Sequence, residues 1–111
     1  MIWRGEIYDV DLGSPVGHEP AFLRPALVVS ADLINNGPGD LIVVVPISTT
    51  RYGLRSHVAI ETGASGLGYP SYGRCDQIRS ISTDRLVGLR GVAGVAEVDA
   101  IDRALKFILD I

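Results

Sequence analysis

The chain has a single cysteine, Cys75, which excludes an internal disulfide and leaves no thiolate set for a structural zinc. Histidine is almost as scarce: His18 and His57 lie far apart with no cysteine beside either. No structural metal and no cofactor are expected, although carboxylate-bound magnesium, whose sites carry loose signatures, stays open. Long apolar runs are also lacking. The longest, Leu41 to Ile47, is too short to span a bilayer and is broken by Pro46. The first residues include Trp3, Arg4 and Glu6 where a signal peptide would carry an apolar run. The expectation is a soluble, cytoplasmic protein with no membrane partner. Absent too are the glycine-rich phosphate loop ending in Lys–Ser/Thr, the serine nucleophile elbow and the paired-histidine helix motif. No repeat, low-complexity tract or linker interrupts the 111 residues, so residues 1–111 are read as one domain.

Lysine is nearly missing as well. Nine of the ten basic residues are arginine, the side chain whose fork matches phosphate oxygens. The net charge of −3 weighs mildly against a nucleic-acid partner, but it is unevenly spread. Residues 1–50 set two arginines against six acids, whereas residues 51–90 set six arginines against Glu61, Asp76 and Asp84. The tail returns to a negative balance.

Periodicity supplies the elements. Ile7 to Leu12 alternates, with Tyr8, Val10 and Leu12 on one face, and predicts a half-buried strand. Gly13 to Arg24 reads as a long loop, a feature often functional in so small a domain. Pro25 to Ala31 and Leu41 to Ile47 are continuous apolar strands separated by the turn signal Asn35 to Gly39. Pro46 cannot donate a ladder hydrogen bond, so the second of these should leave the sheet or lie at an edge there. Ser56 to Glu61 is a fourth strand, Gly63 to Gly73 a glycine-rich loop with room for a short strand, and Arg74 to Ser80 a fifth strand. Thr83 to Leu86 predicts a short helical turn and Gly88 to Val92 a brief strand. Val95, Val98, Ile101, Ala104, Leu105 and Ile108 recur at helical spacing, with Gly94 as cap and Glu97 near the positive end of the helix dipole. The expected fold is mainly β: a strongly bent antiparallel sheet of five or six strands with one C-terminal amphipathic helix.

Five stretches stand in order along the chain: Arg4-Gly5-Glu6-Ile7-Tyr8 with Asp11-Leu12; Gly17-His18-Glu19; Arg24-Pro25-Ala26-Leu27-Val28-Val29-Ser30; Val45-Pro46-Ile47-Ser48-Thr49; and Asp76-Gln77-Ile78-Arg79-Ser80-Ile81. With the closing helix, this ordered set resembles the MazF/PemK family of toxin–antitoxin ribonucleases over essentially the whole chain. The resemblance implies a small SH3-like, CcdB-like barrel. It implies a metal-independent endoribonuclease that cuts single-stranded RNA, mRNA above all, selectively by sequence, leaving 2′,3′-cyclic phosphate and 5′-hydroxyl ends. Implied partners are a second copy in a homodimer and a cognate antitoxin whose disordered acidic segment folds on binding. A gyrase-poisoning toxin of the same fold, or an inactive member that only binds RNA or antitoxin, remains an alternative, because fold alone does not separate them.

The same resemblance nominates site residues. Arg24 matches the arginine before proline that the family uses in catalysis, where a guanidinium would hold the scissile phosphate as charge builds. The family's threonine two residues beyond the proline position is here Ser48, followed by Thr49; either hydroxyl can take that role. His18 and Glu19 fall in the loop that borders the family's RNA groove. Arg51, Tyr52, Arg55 and His57 interleave cations and rings in the manner that suits unpaired RNA bases. Gln77 is placed to read a base edge, Asp76 to orient Arg79, and Arg79 to contact RNA. Trp3 and Phe22 are read as core or interface residues, and Cys75 as a small buried hydrophobe.

Overall fold

A computed structural model describes residues 1–14, 17, 22–61 and 63–111. Among the described residues seven strands form the sheet: β1 (Glu6–Asp11), β2 (Leu23–Val28), β3 (Leu41–Ser48), β4 (His57–Ile60), β5 (Ser71–Arg74), β6 (Arg79–Ser82) and β7 (Leu86–Val92). Helix α1 (Asp32–Asn35) follows β2, and α2 (Val95–Leu109) closes the chain. All pairings are antiparallel, in the order β4-β5-β3-β2-β1-β7, with β6 also bonded to β3.

The two continuous apolar strands are continuous because both of their faces are covered. Leu27 of β2 and Val45 and Ile47 of β3 point into one core with Ile7, Ile60 and Cys75, beneath Ile101 and Ala104 of α2. Their neighbours Ala26, Val28, Ile42 and Val44 fill a second core inside the curled sheet, with Val10, Leu12 and Ile81. Tyr8 packs on this second core, so the alternation read in β1 is the alternation that folds.

Pro46 sits at the point where β3 changes partners. Leu41 to Val44 pair with β6 and Ile47 to Ser48 pair with β5. The missing N–H falls in the gap between them. The expectation that the strand would leave the sheet or lie at an edge here is not met: β3 lies in the middle of the sheet and Pro46 stays paired with Ala26 of β2.

Two further expectations change. The stretch 74–80 is not one strand: a 3₁₀ turn over Cys75–Gln77 divides β5 from β6, which lifts the count to seven. Asp32 to Asn35 forms one helical turn ahead of the Asn-Gly signal. The C-terminal helix spans Val95–Leu109 with Gly94 before it. Glu97 caps it by accepting from the Gly94 N–H at 2.8 Å, and it also accepts from the backbone N–H of Glu61, tying the helix to the end of β4. Arg4 fastens the same helix to the barrel through Asp102 and through the Val29 carbonyl at 2.9 Å. No helix among the described residues is long and apolar enough to cross a membrane.

Candidate functional site

Strand register assembles the site. Ala26 pairs with Pro46 in the β2–β3 ladder. Continued two residues beyond that last bonded pair, the register sets Arg24 across from Ser48. Ser48 in turn pairs with Tyr72 of β5, and Tyr72 with Ala59 of β4. Because side chains alternate along strands, Arg24, Ser48, Tyr72, Ala59, Arg74 and His57 all lie on the sheet face opposite α2. The opposite parity, Ile47, Gly73 and Ile60, packs under Ile101.

Arg24 is exposed on β2, just after Phe22, whose backbone adopts φ 56° and whose ring is exposed. Phe22 exchanges backbone hydrogen bonds with its neighbours across the loop: its N–H donates to Gly13 at 2.7 Å and its carbonyl accepts from Leu12 at 2.9 Å. The base of the β1–β2 loop is thereby pinned beside Arg24. Two arginines reinforce it, Arg85 donating to the Asp11 carbonyl at 3.1 Å and Arg79 to the Leu12 carbonyl at 3.4 Å. Ser48 is half-buried, and its Oγ accepts from the Thr50 N–H at 3.1 Å, which orients the hydroxyl at the strand end. Thr49 is exposed on the alternate parity.

Beyond Ser48 the chain wraps a concavity of about 290 Å³ lined by Arg51, Tyr52, Arg55, His57, Ala59 and Tyr72 among others. Tyr52 meets the His57 ring edge-on, with centroids 5.4 Å apart at 86°. His57 Nε2 stands 2.9 Å from Asp76 Oδ1. Asp76 therefore pairs with His57 rather than orienting Arg79. Arg55 lays its guanidinium 4.2 Å above the ring of Phe107 on α2. Gln77 is half-buried on the 3₁₀ turn after Asp76, away from the lining of the concavity. His18 and Glu19 lie outside the described residues.

Thus register places Arg24, Ser48 and His57 on one sheet face, Arg51, Tyr52 and Arg55 join His57 around the concavity with Arg55 also reaching Phe107 of α2, and Arg79 spends a guanidinium nitrogen on the loop base. Sequence reasoning missed Tyr72 and Arg74. Tyr72 sits in the stretch read as a glycine-rich loop, and Arg74, read as the start of a strand, was given no site role; it stacks its guanidinium 5.2 Å over Tyr52. Trp3 and Phe22 are both exposed, which removes the core reading for each, and Cys75 is fully buried. Burial, with Asp76 beside it, pushes the Cys75 thiol up to about 12.

A small, strongly curved antiparallel barrel with an arginine-lined face beside a C-terminal helix defines the class of protein. The family described as PemK-like, MazF-like toxin of type II toxin–antitoxin system matches residues 3–109, and the chain belongs to it. Endoribonuclease MazF9 of Mycobacterium tuberculosis is 37% identical, over 100% of this chain and 98% of the relative. Endoribonuclease EndoA of Bacillus subtilis is 29% identical over 98% of this chain and 95% of its own length. Among solved structures, an endoribonuclease in complex with its cognate antitoxin from Mycobacterial species superposes with a TM-score of 0.83 at 27% identity, covering 100% of this chain and 97% of that one.

Proposed function

We propose that this chain is the toxin of a type II toxin–antitoxin pair and acts as a metal-independent endoribonuclease on single-stranded RNA. The observation that carries the reading is the register that sets Arg24 across from Ser48 on the face that also holds the arginine-lined concavity. The RNA's 2′-hydroxyl attacks the adjacent phosphorus in line and the 5′-oxygen leaves, giving a 2′,3′-cyclic phosphate and a 5′-hydroxyl. This transphosphorylation needs proton transfer and stabilisation of the negative charge on the equatorial oxygens, both within reach of side chains. Arg24 clamps those oxygens through its fork. Ser48, with its lone pair held by Thr50, turns its hydroxyl proton toward the same phosphate. Arg51 and Arg55 hold flanking phosphates, and Tyr52 offers a ring for stacking.

Relatives named as endoribonucleases at full-length coverage support this reading, as does the antitoxin complex of a similar structure. We extend it to a homodimer and to an acidic antitoxin segment that competes with RNA for Arg51 and Arg55. A single-chain sedimentation mass at micromolar concentration would remove the dimer from this proposal.

The test is incubation of purified protein with long mixed-sequence RNA in excess EDTA, with both new ends mapped. Cuts at a recurring short motif with 5′-hydroxyl ends, lost by at least about 100-fold in Arg24→Ala, are expected. A folded wild-type protein that leaves the RNA intact would favour a gyrase-poisoning or purely binding toxin.

A further inference from the structure

Residues 1–4 lie outside the sheet, yet hydrogen bonds fix their backbone. Ile2 and Asn36 bond reciprocally: the Ile2 N–H donates to Asn36 Oδ1 and Asn36 Nδ2 donates to the Ile2 carbonyl, both at 2.8 Å. The Trp3 N–H donates to Glu6 at 2.6 Å, and the Arg4 N–H to Asp32 at 2.6 Å. What these bonds hold in place is not buried. Trp3 is 46% exposed, Leu33 of α1 87%, and Val95 at the start of α2 81%. Trp3 lines two concavities. One, of about 340 Å³, it shares with Val92, Val95 and Val98; the other, of about 440 Å³, with Met1, Leu33 and Pro38. Single exposed apolar side chains are ordinary, but a contiguous set held in order marks a surface that meets a partner.

Charge selects the kind of partner. Among the described residues Arg4 is the one cation in either lining, and Asp102 and the Val29 carbonyl engage its guanidinium. Three carboxylates stand against it: Glu6, Asp32 and Asp99. Asp32 and Asp99 are exposed, and neither enters an ion pair among the described residues. We propose that this face docks a cationic amphipathic segment of a partner protein, with apolar side chains seated on either side of Trp3 and Lys or Arg residues against Asp32 and Asp99. An amphipathic helix laid in a groove presents its anchors in this way. An anionic bilayer or a nucleic acid would bring like charge to the carboxylates, and so would the same face of a second copy. The fixed backbone lowers the ordering cost of docking, and a half-exposed indole is the side chain that most often anchors an interface. The place is remote from the proposed cleavage centre. Trp3 precedes the end of the β1–β2 ladder where Ile7 pairs with Leu27, and Arg24 lies at the other end, beside the Asp11–Leu23 pair. The partner therefore leaves the RNA face open, and the inference does not depend on the ribonuclease reading.

The test is selection from a display library of randomised peptides, each about five helical turns long, on the wild-type protein. Counter-selection uses the double variant Leu33→Ser/Val95→Ser. Both positions are exposed, so the double variant should melt as the wild type does and keep its sedimentation mass. We expect the enriched peptides to repeat apolar residues at helical spacing and to carry net positive charge. A synthetic copy of the most enriched one should shift the emission of Trp3, the chain's one tryptophan, to the blue. Its affinity should fall at least about 10-fold in the double variant. Asp99→Lys should weaken it about two- to fivefold and flatten its salt dependence. No enrichment over the counter-selection, or enrichment of acidic peptides, overturns the proposal. So does binding that leaves the Trp3 emission unmoved or that Asp99→Lys leaves unchanged. Phosphatidylglycerol vesicles that produce the same shift would make this a membrane-facing surface instead, and a double variant that sediments at half the wild-type mass would make it an interface between copies.

Discussion

At the scale of single residues, the chemistry was legible wherever it sits in a contiguous string and hidden wherever it depends on pairing. Arg24 before Pro25, and the hydroxyl after Pro46, stand out in the sequence. The choice between Ser48 and Thr49 does not, because one residue along a strand reverses the face a side chain takes. Parity puts Ser48 with Tyr72 and Arg24. Ser48→Ala is therefore expected to cut kcat by about 100-fold or more, and Thr49→Ala by no more than a few fold, in single-turnover cleavage of one defined RNA. The opposite order would move the hydroxyl role to Thr49. Tyr72 carried no signal of its own, since its glycine-rich surroundings read as loop until its partners are known, and Arg74, though read as strand, had no site role until pairing set it opposite His57.

Among the elements, α2 was the most legible, because its apolar stripe faces one uninterrupted surface and repeats for four turns. The strand over 71–74 was the least, and the reason lies in packing. A Cβ at Gly73 would come within 2.8 Å of Ile101 Cδ1, so any larger residue would have to push that side-chain end aside where α2 presses on the sheet, and the glycine that fits there reads as loop. A similar close approach occurs at the other edge. The turn Gly63–Ser65 folds onto β7, where a Cβ on Gly91 would lie 2.2 Å from the Ala64 carbonyl oxygen, and one on Gly66 would lie 2.0 Å from that of Arg90. Arg90 seals this junction by donating to the Gly66 carbonyl at 3.2 and 3.3 Å and to Asp9 at 3.2 Å. The clash is with backbone, which cannot swing aside. Gly91→Ala should therefore destabilise by at least about 1–3 kcal/mol, read as a lowered urea midpoint, whereas Gly88→Ala, with open space around it, should shift the midpoint far less. Equal effects would mean that the turn yields.

For the molecule as a whole, net charge and local charge point in different directions. A net charge of −3 weighs mildly against a polyanionic partner, yet Arg24 is exposed on β2 and Arg51 and Arg55 line the concavity beyond Ser48. If these three meet phosphates, RNA affinity should fall with salt at a log–log slope of about −2, and Arg51→Gln should flatten it by about 0.7. A slope near zero would assign affinity to stacking instead. The buried thiol sets a second global dependence. Its folded pKa, about 12, lies above the ordinary 9.0, so its contribution to stability is complete below pH 9 and is lost as pH rises towards 12. Alkaline melting should shift to higher pH in Cys75→Ala, provided the small cavity is tolerated.

That same thiol gives the protein its own stopwatch. Cys75 is the chain's one sulfhydryl, it is fully enclosed, and its N–H holds the Ser56 carbonyl at 3.1 Å at the entrance to β4, next door to the Asp76–His57 pair. A thiol reagent reaches it only when β4 or α2 parts from the turn that bears it. Each labelling event in native buffer therefore counts one opening of the core around that turn, and a ligand that braces β4 at His57 should slow the tick.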